Sequence, residues 1–254
     1  LMIGRPTSEI IIGTLASCKQ HELEHLILNK SDVRARYNDT FQMEENEIAI
    51  FEKNAGVLYP EESIQAYQDQ AKKSGNATLL FNHKMTSFHE NDEGIVTVTT
   101  DDGSTWMTSK LIMTAGAWTG EVLGPAFLEK MPLTVVRKVL HWFEPEMINS
   151  NSSSTSDDPF HITNFPVYIW DCDESDGTAF YGFPKLDDES GCKVAIHQSK
   201  SRDGVQVVCM PDTINRTVSN VEVEDMRCIL RSRLPALATG KLLKSVTCMY
   251  TNTE

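Results

Sequence analysis

The sequence predicts an α+β chain built around mixed β-sheet, and three observations carry that prediction. Residues 78–108 hold four consecutive β-prone segments with no helical pattern between them. Residues 165–198 repeat the pattern as short apolar or alternating runs separated by acidic and glycine-containing turns. Two segments, 60–74 and 221–234, instead place apolar residues at helical spacing. With 254 residues and 40% hydrophobic content, the chain can bury one large or two modest cores.

Taken in order, residues 1–20 read as strand, turn, strand, because Ile10, Ile11 and Ile12 form a β-branched run. Residues 22–28 read as a short amphipathic helix, and Ser31 as the cap of a helical turn over 32–37. Residues 48–57 look extended. The helix over 60–74 has Pro60 at its first position, Glu61 and Glu62 at the positive end of the dipole, and Gly75 as its stop. Ile64, Tyr67 and Ala71 form its apolar stripe. Strands are expected at 78–80, 84–89, 94–99 and 105–108, with Asp101-Asp102-Gly103 turning between the last two. A mostly apolar strand at 110–114 runs into Ala115-Gly116-Ala117-Trp118, and a helix starts near Trp118.

Residues 135–143 alternate and stop at Pro145; 149–158 are Ser/Asn-rich and read as a surface loop. Residues 165–170 and 178–182 read as a hairpin across an acidic turn, and 204–210 as a further strand. The helix over 221–234 has Met226, Ile229, Leu230 and Leu234 on one side and ends at Pro235. Residues 242–250 return as a strand. No internal repeat is found.

Composition narrows the function classes. The formal net charge is -13, and no basic block interleaves with aromatics, so nucleic acid is not an expected partner. The same charge argues against an anionic membrane surface, and no apolar run approaches the ~20 residues that span a bilayer. The six cysteines are scattered, with no C-x-x-C pair, so neither a zinc site nor a disulfide scaffold is expected. Reduced thiols in an intracellular compartment are the simpler account. N-x-S/T triplets such as those at Asn38, Asn76, Asn151 and Asn215 are treated as chance. No G-x-S-x-G elbow supports a serine hydrolase, and the histidines lack paired metal-ligand spacing.

One stretch points to chemistry. In residues 181–197 the second strand alternates, with Lys193, Ala195 and His197 on one face and Cys192, Val194 and Ile196 on the other. Two basic side chains four residues apart then project the same way. Such a strand lines a site, or it is half buried with its polar face in water; the pattern leaves both open. Near the end, Cys248 and Tyr250 likewise share a strand face.

Tyr181-Gly182-Phe183-Pro184, the Lys193/His197 pair, and Cys248-Met249-Tyr250-Thr251, in that order, resemble the monomeric sarcosine oxidase family. Its relatives include pipecolate oxidase and N-methyl-amino-acid oxidases, flavoproteins of the D-amino-acid-oxidase type. Further matching pieces are 55–61, 114–119 and 133–143, the last ending in Trp142-Phe143, so the resemblance covers nearly the whole chain. It implies a mixed-sheet substrate domain over 1–58 and 128–254, and the middle of an FAD-binding α/β domain over 59–127. It also implies oxidation of a secondary amino acid to an imine, with oxygen reduced to hydrogen peroxide. Lys193 aligns with the oxygen-activating lysine, His197 with a substrate-pocket histidine, and Tyr181 and Tyr250 with active-site tyrosines. Cys248 aligns with the cysteine that bonds covalently to the flavin, and Ala115, Gly116 and Trp118 with the turn beside the flavin's dinucleotide. A small amino acid and oxygen are the implied partners, a monomer the implied state, and peroxisome or cytoplasm the implied compartment.

No G-x-G-x-x-G dinucleotide fingerprint occurs in these residues. The family's arginine and lysine for the substrate carboxylate also have no counterpart here. The pattern therefore reads as an internal piece of a longer flavoprotein, with an apolar domain face left exposed. Two other readings stand beside the oxidase. One is a related flavin amine dehydrogenase or fructosyl-amine oxidase. The other is a truncated, non-catalytic product that binds no flavin.

Overall fold

A computed structural model describes residues 1–146, 158–173, 177–187, 190–199 and 207–253. The chain divides into two compact units, Leu1–Val57 with Val135–Tyr250, and Leu58–Thr134 with Thr251–Glu254. The predicted loop at 149–157, the tip of the acidic turn at 174–176 and the first part of the predicted strand at 204–206 lie outside the described residues.

The first unit opens with β1 (Met2–Gly4), α1 (Glu9–Gln20), β2 (His25–Leu28), α2 (Lys30–Arg36) and β3 (Ile48–Glu52). Two expectations are corrected here. The isoleucine run belongs to a helix, α1, because Ser8 caps it by accepting from the Ile11 amide, Glu9 lies in its first turn and Lys19 in its last. Ile11 and Cys18, two helical turns apart, are buried while Ile12 is exposed, so one-sided burial overrides β-branched propensity. Residues 22–28 supply β2 rather than a helix, because His25 to Leu28 pair antiparallel with β3. The helix signal begins one residue later. Asn29 and Asp32 form a reciprocal capping box for α2, and the Ser31 hydroxyl donates to Asn29 Oδ1 at 2.6 Å instead of capping.

The second unit holds α3 (Pro60–Lys73), β4 (Met85–Glu90), β5 (Val96–Thr100), β6 (Thr105–Thr108), α4 (Thr119–Leu123) and α5 (Pro125–Leu128). The helix α3 starts at Pro60 and stops before Gly75, whose φ of +71° suits glycine. The strands form an antiparallel meander, β4–β5–β6. Asp102 accepts from the Thr100 hydroxyl and the Ser104 amide to close the turn between the last two. Residues 78–80 and 110–114 are not strands. No neighbouring strand pairs with them among the described residues, and Ile112 stays 83% exposed. Two residues of the α3 stripe are exposed, Ile64 at 57% and Tyr67 at 79%. Gly116–Trp118 form a 3-10 turn that leads directly into α4, with Gly116 at φ +55°.

The chain returns to the first unit through β7 (Leu133–Glu144), β8 (Tyr168–Asp173), β9 (Thr178–Phe183), β10 (Cys192–Gln198) and β11 (Val207–Val208). It finishes with α6 (Asn220–Arg233), α7 (Pro235–Thr239) and β12 (Lys241–Thr253). The sheet order is β11-β7-β10-β9-β8-β1-β3-β2, with β12 also on β7. The β1–β8 pair is parallel and its neighbours are antiparallel, which makes the sheet mixed, as predicted. The core face packs Phe143, Tyr168, Trp170, Phe180, Cys192 and Val194 against Met226 and Leu230 of α6, Leu234 at its C-cap and Leu237 of α7. Helix α7 was not expected: Pro235 ends α6 yet serves as the first position of the next helix.

Buried ion pairs tie this core to the first residues of the chain. Arg233 lies over the Trp170 ring, donates to Glu44 and Glu47, and bonds the Cys172 carbonyl at 3.0 Å. Trp170 Nε1 donates to the same Glu47 at 2.9 Å, so each buried charge has partners.

Candidate active site

The sheet of the first unit turns one face to the core, and the predicted Lys193 and Tyr181 belong to the other. Strand β10 pairs with β9 so that Lys193 lies opposite Phe183 and Ala195 opposite Tyr181. It pairs with β7 so that Lys193 lies opposite Trp142. Alternation sends Cys192 and Val194 into the core cluster, and Lys193 and Ala195 the opposite way. Between Ile196 and Gln198 the register shifts: Ile196 pairs with Phe180 and Gln198 with Ala179, leaving His197 as the extra residue. It is a β-bulge, the device that re-aims a side chain out of strict alternation.

The bulge brings three rings together. His197 Nδ1 lies 3.4 Å from the Tyr250 hydroxyl, and the two ring centroids are 5.7 Å apart. The Tyr181 ring meets His197 edge to face at 6.4 Å, and Tyr181 is hydrogen-bonded to Tyr250. Burial, then the Tyr250 bond and the nearby Cys248, push the Tyr181 phenol far up, so it stays neutral. Burial, and secondarily the charge of Lys138, hold the His197 imidazole below its usual value. Tyr181, His197, Tyr250 and Cys248 therefore share one neighbourhood.

Lys193 belongs to an adjacent group on the same face. Its ammonium lies 4.9 Å from the centroid of Phe183 and 5.5 Å from that of Trp142. Phe183 in turn meets Tyr181 edge to face at 6.1 Å. Lys244 approaches the same Trp142 ring at 4.4 Å. The lysine is thus held by aromatic faces one ring away from the tyrosine–histidine group. Cys248 is exposed, with its thiol 3.8 Å from the Met249 carbonyl. Ala115, Gly116 and Trp118 lie in the second unit, at the 3-10 turn before α4.

Sequence reasoning missed Lys138 as a site residue. It is 4% exposed, donates to the His197 carbonyl at 2.8 Å and lies 5.1 Å from the Tyr250 centroid. Parity along β7 was the available signal, since Lys138 and Trp142 fall on the same face. The glycine of the Tyr181–Pro184 motif has its reason on the far side of the sheet. A Cβ on Gly182 would come within 2.7 Å of Tyr168 Cε1 and closer still to the Tyr168 hydroxyl. Only glycine lets that buried ring lie across the strand.

A cavity of about 530 Å³ in the same unit is lined by Arg36, Tyr37, Phe51, Ile162, Asn164 and Phe165, and holds none of the predicted residues. Its polar content is a guanidinium packed 4.0 Å over Phe51 and ordinary loop groups, without an acid–base pair. The sheet face is therefore the better candidate. Among the described residues no group of three His, Cys, Asp or Glu can hold a metal, and no helix is long and apolar enough to cross a membrane.

This sheet face carries an exposed thiol, a ring-held cation and the neutral Tyr181 phenol. Comparison with known proteins gives the family. Monomeric sarcosine oxidase from Streptomyces avermitilis is 35% identical over 254 residues, 100% of this chain and 60% of that protein. Monomeric sarcosine oxidase from Bacillus sp. strain NS-129 is 31% identical over 97% of this chain and 58% of its own length. N-methyl-L-tryptophan oxidase from Citrobacter koseri is 27% identical over 98% of this chain and 59% of its own length. The chain spans about three fifths of the length of these relatives. Among solved structures, L-proline dehydrogenase from P. horikoshii superposes with a TM-score of 0.72 at 15% identity, covering 99% of this chain and 60% of that one. The amino acid oxidase NikD superposes at 0.70 with 16% identity, covering 98% of this chain and 60% of that one. At that identity the likeness is one of fold. Residues 5–253 match the family described as FAD dependent oxidoreductase (DAO), and the chain belongs to that family.

Proposed function

We propose that the complete protein oxidises a secondary or N-methyl amino acid to an imine and reduces oxygen to hydrogen peroxide. The observation that carries this reading is the single sheet face on which Tyr181, His197 and Tyr250 cluster beside Cys248, with Lys193 held one ring away. The names of the relatives support the substrate class: sarcosine and N-methyl-L-tryptophan are both N-methyl amino acids. Residues 1–58 and 128–254 form the substrate domain in this reading, and 59–127 the middle of the flavin domain.

When bound, FAD would supply the two-electron chemistry: acceptance of a hydride equivalent from the C–H bond next to the amine nitrogen, and donation of two electrons to oxygen. Everything else falls to the protein. Tyr181, kept neutral by burial, and Tyr250 beside it offer aromatic walls and hydroxyls that orient the substrate amine. His197, with its imidazole disfavoured from protonating, accepts a hydrogen bond from the amine and does not repel it as a cation. Two electrons and two protons leave the amine, and oxygen takes up the same number to become peroxide. Water then hydrolyses the imine to the free amine and a carbonyl compound. Lys193 stabilises negative charge developing on oxygen, since a fixed cation near aromatic walls acts where water is excluded. Cys248 is exposed and unencumbered enough to form the thioether to the flavin ring. Ala115, Gly116 and Trp118, at the turn before α4, would help hold the FAD dinucleotide.

The reading is tested on the full-length protein. Flavin absorption bands together with peroxide release on N-methyl amino acids are the expected result. Flavin bands with reduction by substrate but no peroxide would favour the amine dehydrogenase alternative, and turnover of glycated amines the fructosyl-amine oxidase one. A colourless protein would leave the non-catalytic reading. Peroxisomal residence draws no support from the bacterial relatives; the name of the sarcosine oxidases favours a monomer.

A further inference from the structure

We propose that Lys138 is a positioning residue for this site, clamping the β10 bulge so that the His197 ring is aimed at Tyr250. The role of His197 toward substrate rests on the proposed function; the clamp does not. Three observations place Lys138 in that part. It lies on β7, is buried, and donates to the His197 carbonyl, the backbone group of the bulged residue itself. Its ammonium stands 5.1 Å from the Tyr250 centroid, so one side chain touches both members of the His197–Tyr250 pair. Those two residues sit 53 positions apart, on strands that do not pair directly in the sheet order.

A bulge leaves an unpaired backbone group in the ladder, and such a group in a partly buried place needs a partner. A lysine reaching across the strand face supplies one. Methionine at this position would fill the same space and leave the His197 carbonyl without that donor.

The clamp has an electrostatic consequence. The groups facing the His197 ring are Lys138 from β7, Tyr181 from β9 and Tyr250 from β12, with Cys248 near Tyr181 and Lys193 one ring further along the same face. Burial and then Lys138 lower the imidazole's affinity for a proton. Lys138 is itself pulled down to about 8 by burial, which leaves it mostly charged at neutral pH. The same ammonium therefore fixes the ring in place and favours its neutral form.

The experiment is an NMR titration of His197 in the full-length protein, compared with Lys138→Met, Lys138→Gln and Lys138→Arg. In the wild type the His197 ring signals should show a second inflection near pH 8 as Lys138 loses its proton. In Lys138→Met and Lys138→Gln that inflection should vanish and the His197 midpoint should move up. Lys138→Arg should restore the wild-type midpoint. His141, on the same β7 strand but facing the other way, is the control and should not move. An unchanged His197 midpoint in the two neutral variants, or an equal shift at His141, would overturn the proposal. If neither neutral variant folds, a wild-type curve without the pH 8 inflection overturns it alone. None of these readings needs turnover, so a protein without oxidase activity would sink the proposed function and leave this test standing.

Discussion

Lowering the pH from 7 to 5 should weaken the fold by about 2 kcal/mol through one residue, His141. This imidazole is 3% exposed on the core side of β7, with Nδ1 2.8 Å from the Ser245 hydroxyl and its ring 6.0 Å from Phe143. Burial pulls it down to about 4, with Glu222 opposing and Arg227 assisting. In the unfolded chain the same ring titrates near its ordinary value of about 6.5. Between those values the unfolded chain binds the extra proton, so stability is intact above about 6.5 and drains away as pH falls toward 4. At 1.36 kcal/mol per unit, the gap of about 2.5 units limits the loss to roughly 3 kcal/mol, and at pH 5 about 2 kcal/mol of it has been reached. Glu222 does not confound the window. Burial opposes its ionisation, but bonds from Arg137 and Ser219 outweigh that and hold it below its ordinary value of 4.5, so its loss begins at lower pH. Urea midpoints of the full-length protein at pH 7, 6 and 5 measure the slope, beside those of His141→Gln, which cannot titrate. The variant's loss between pH 7 and 5 should be smaller by about 2 kcal/mol. Parallel slopes in the two proteins would refute the assignment.

Four further outcomes are expected. Gly182→Ala should cost about 1–3 kcal/mol, because its Cβ collides with the Tyr168 ring; a denaturant midpoint within 0.5 kcal/mol of wild type would contradict that. Tyr168→Phe should stabilise by about 1 kcal/mol, since its buried hydroxyl has no hydrogen-bond partner among the described residues, and it should also soften the Gly182→Ala penalty in a double-mutant cycle. Lys193→Met in the full-length enzyme should slow reoxidation of the flavin by roughly 10²-fold or more while sparing its reduction; stopped-flow traces showing equal slowing of both steps would remove its role with oxygen. Cys248→Ser should let acid precipitation release all flavin from a protein that otherwise stays yellow, and flavin freed by acid from the wild type would end the covalent assignment.

Much of the sheet was legible in sequence, because strands with one buried face advertise their period. Strand β10 is the clearest case: its alternation correctly separated Lys193 from Cys192 and Val194. The failures have physical causes. Helix α1 was hidden because Ile10–Ile12 satisfy a strand pattern locally, while the decisive signals were a serine cap and the burial of Ile11 and Cys18 two turns apart. Residues 110–114 looked like a strand by apolarity, but a strand also needs a partner, and none pairs with them among the described residues. At the site, the shared face of Lys193 and His197 was read from a two-residue period. The structure reaches a similar end by a bulge, which no periodicity reveals. Lys138 escaped notice because a lone lysine in an apolar strand gives no hint that it will bond a backbone carbonyl 59 residues away.

The pairing of Gly182 with the Tyr168 ring has a wider implication for how such a motif is interpreted. Its glycine is dictated by furniture behind the wall, and the tyrosine before it, under the proposed function, by what stands in the room. A homologue that keeps the tyrosine but shrinks the aromatic at position 168 is therefore free to lose the glycine without any change of chemistry. The two letters thus answer to opposite faces of one sheet.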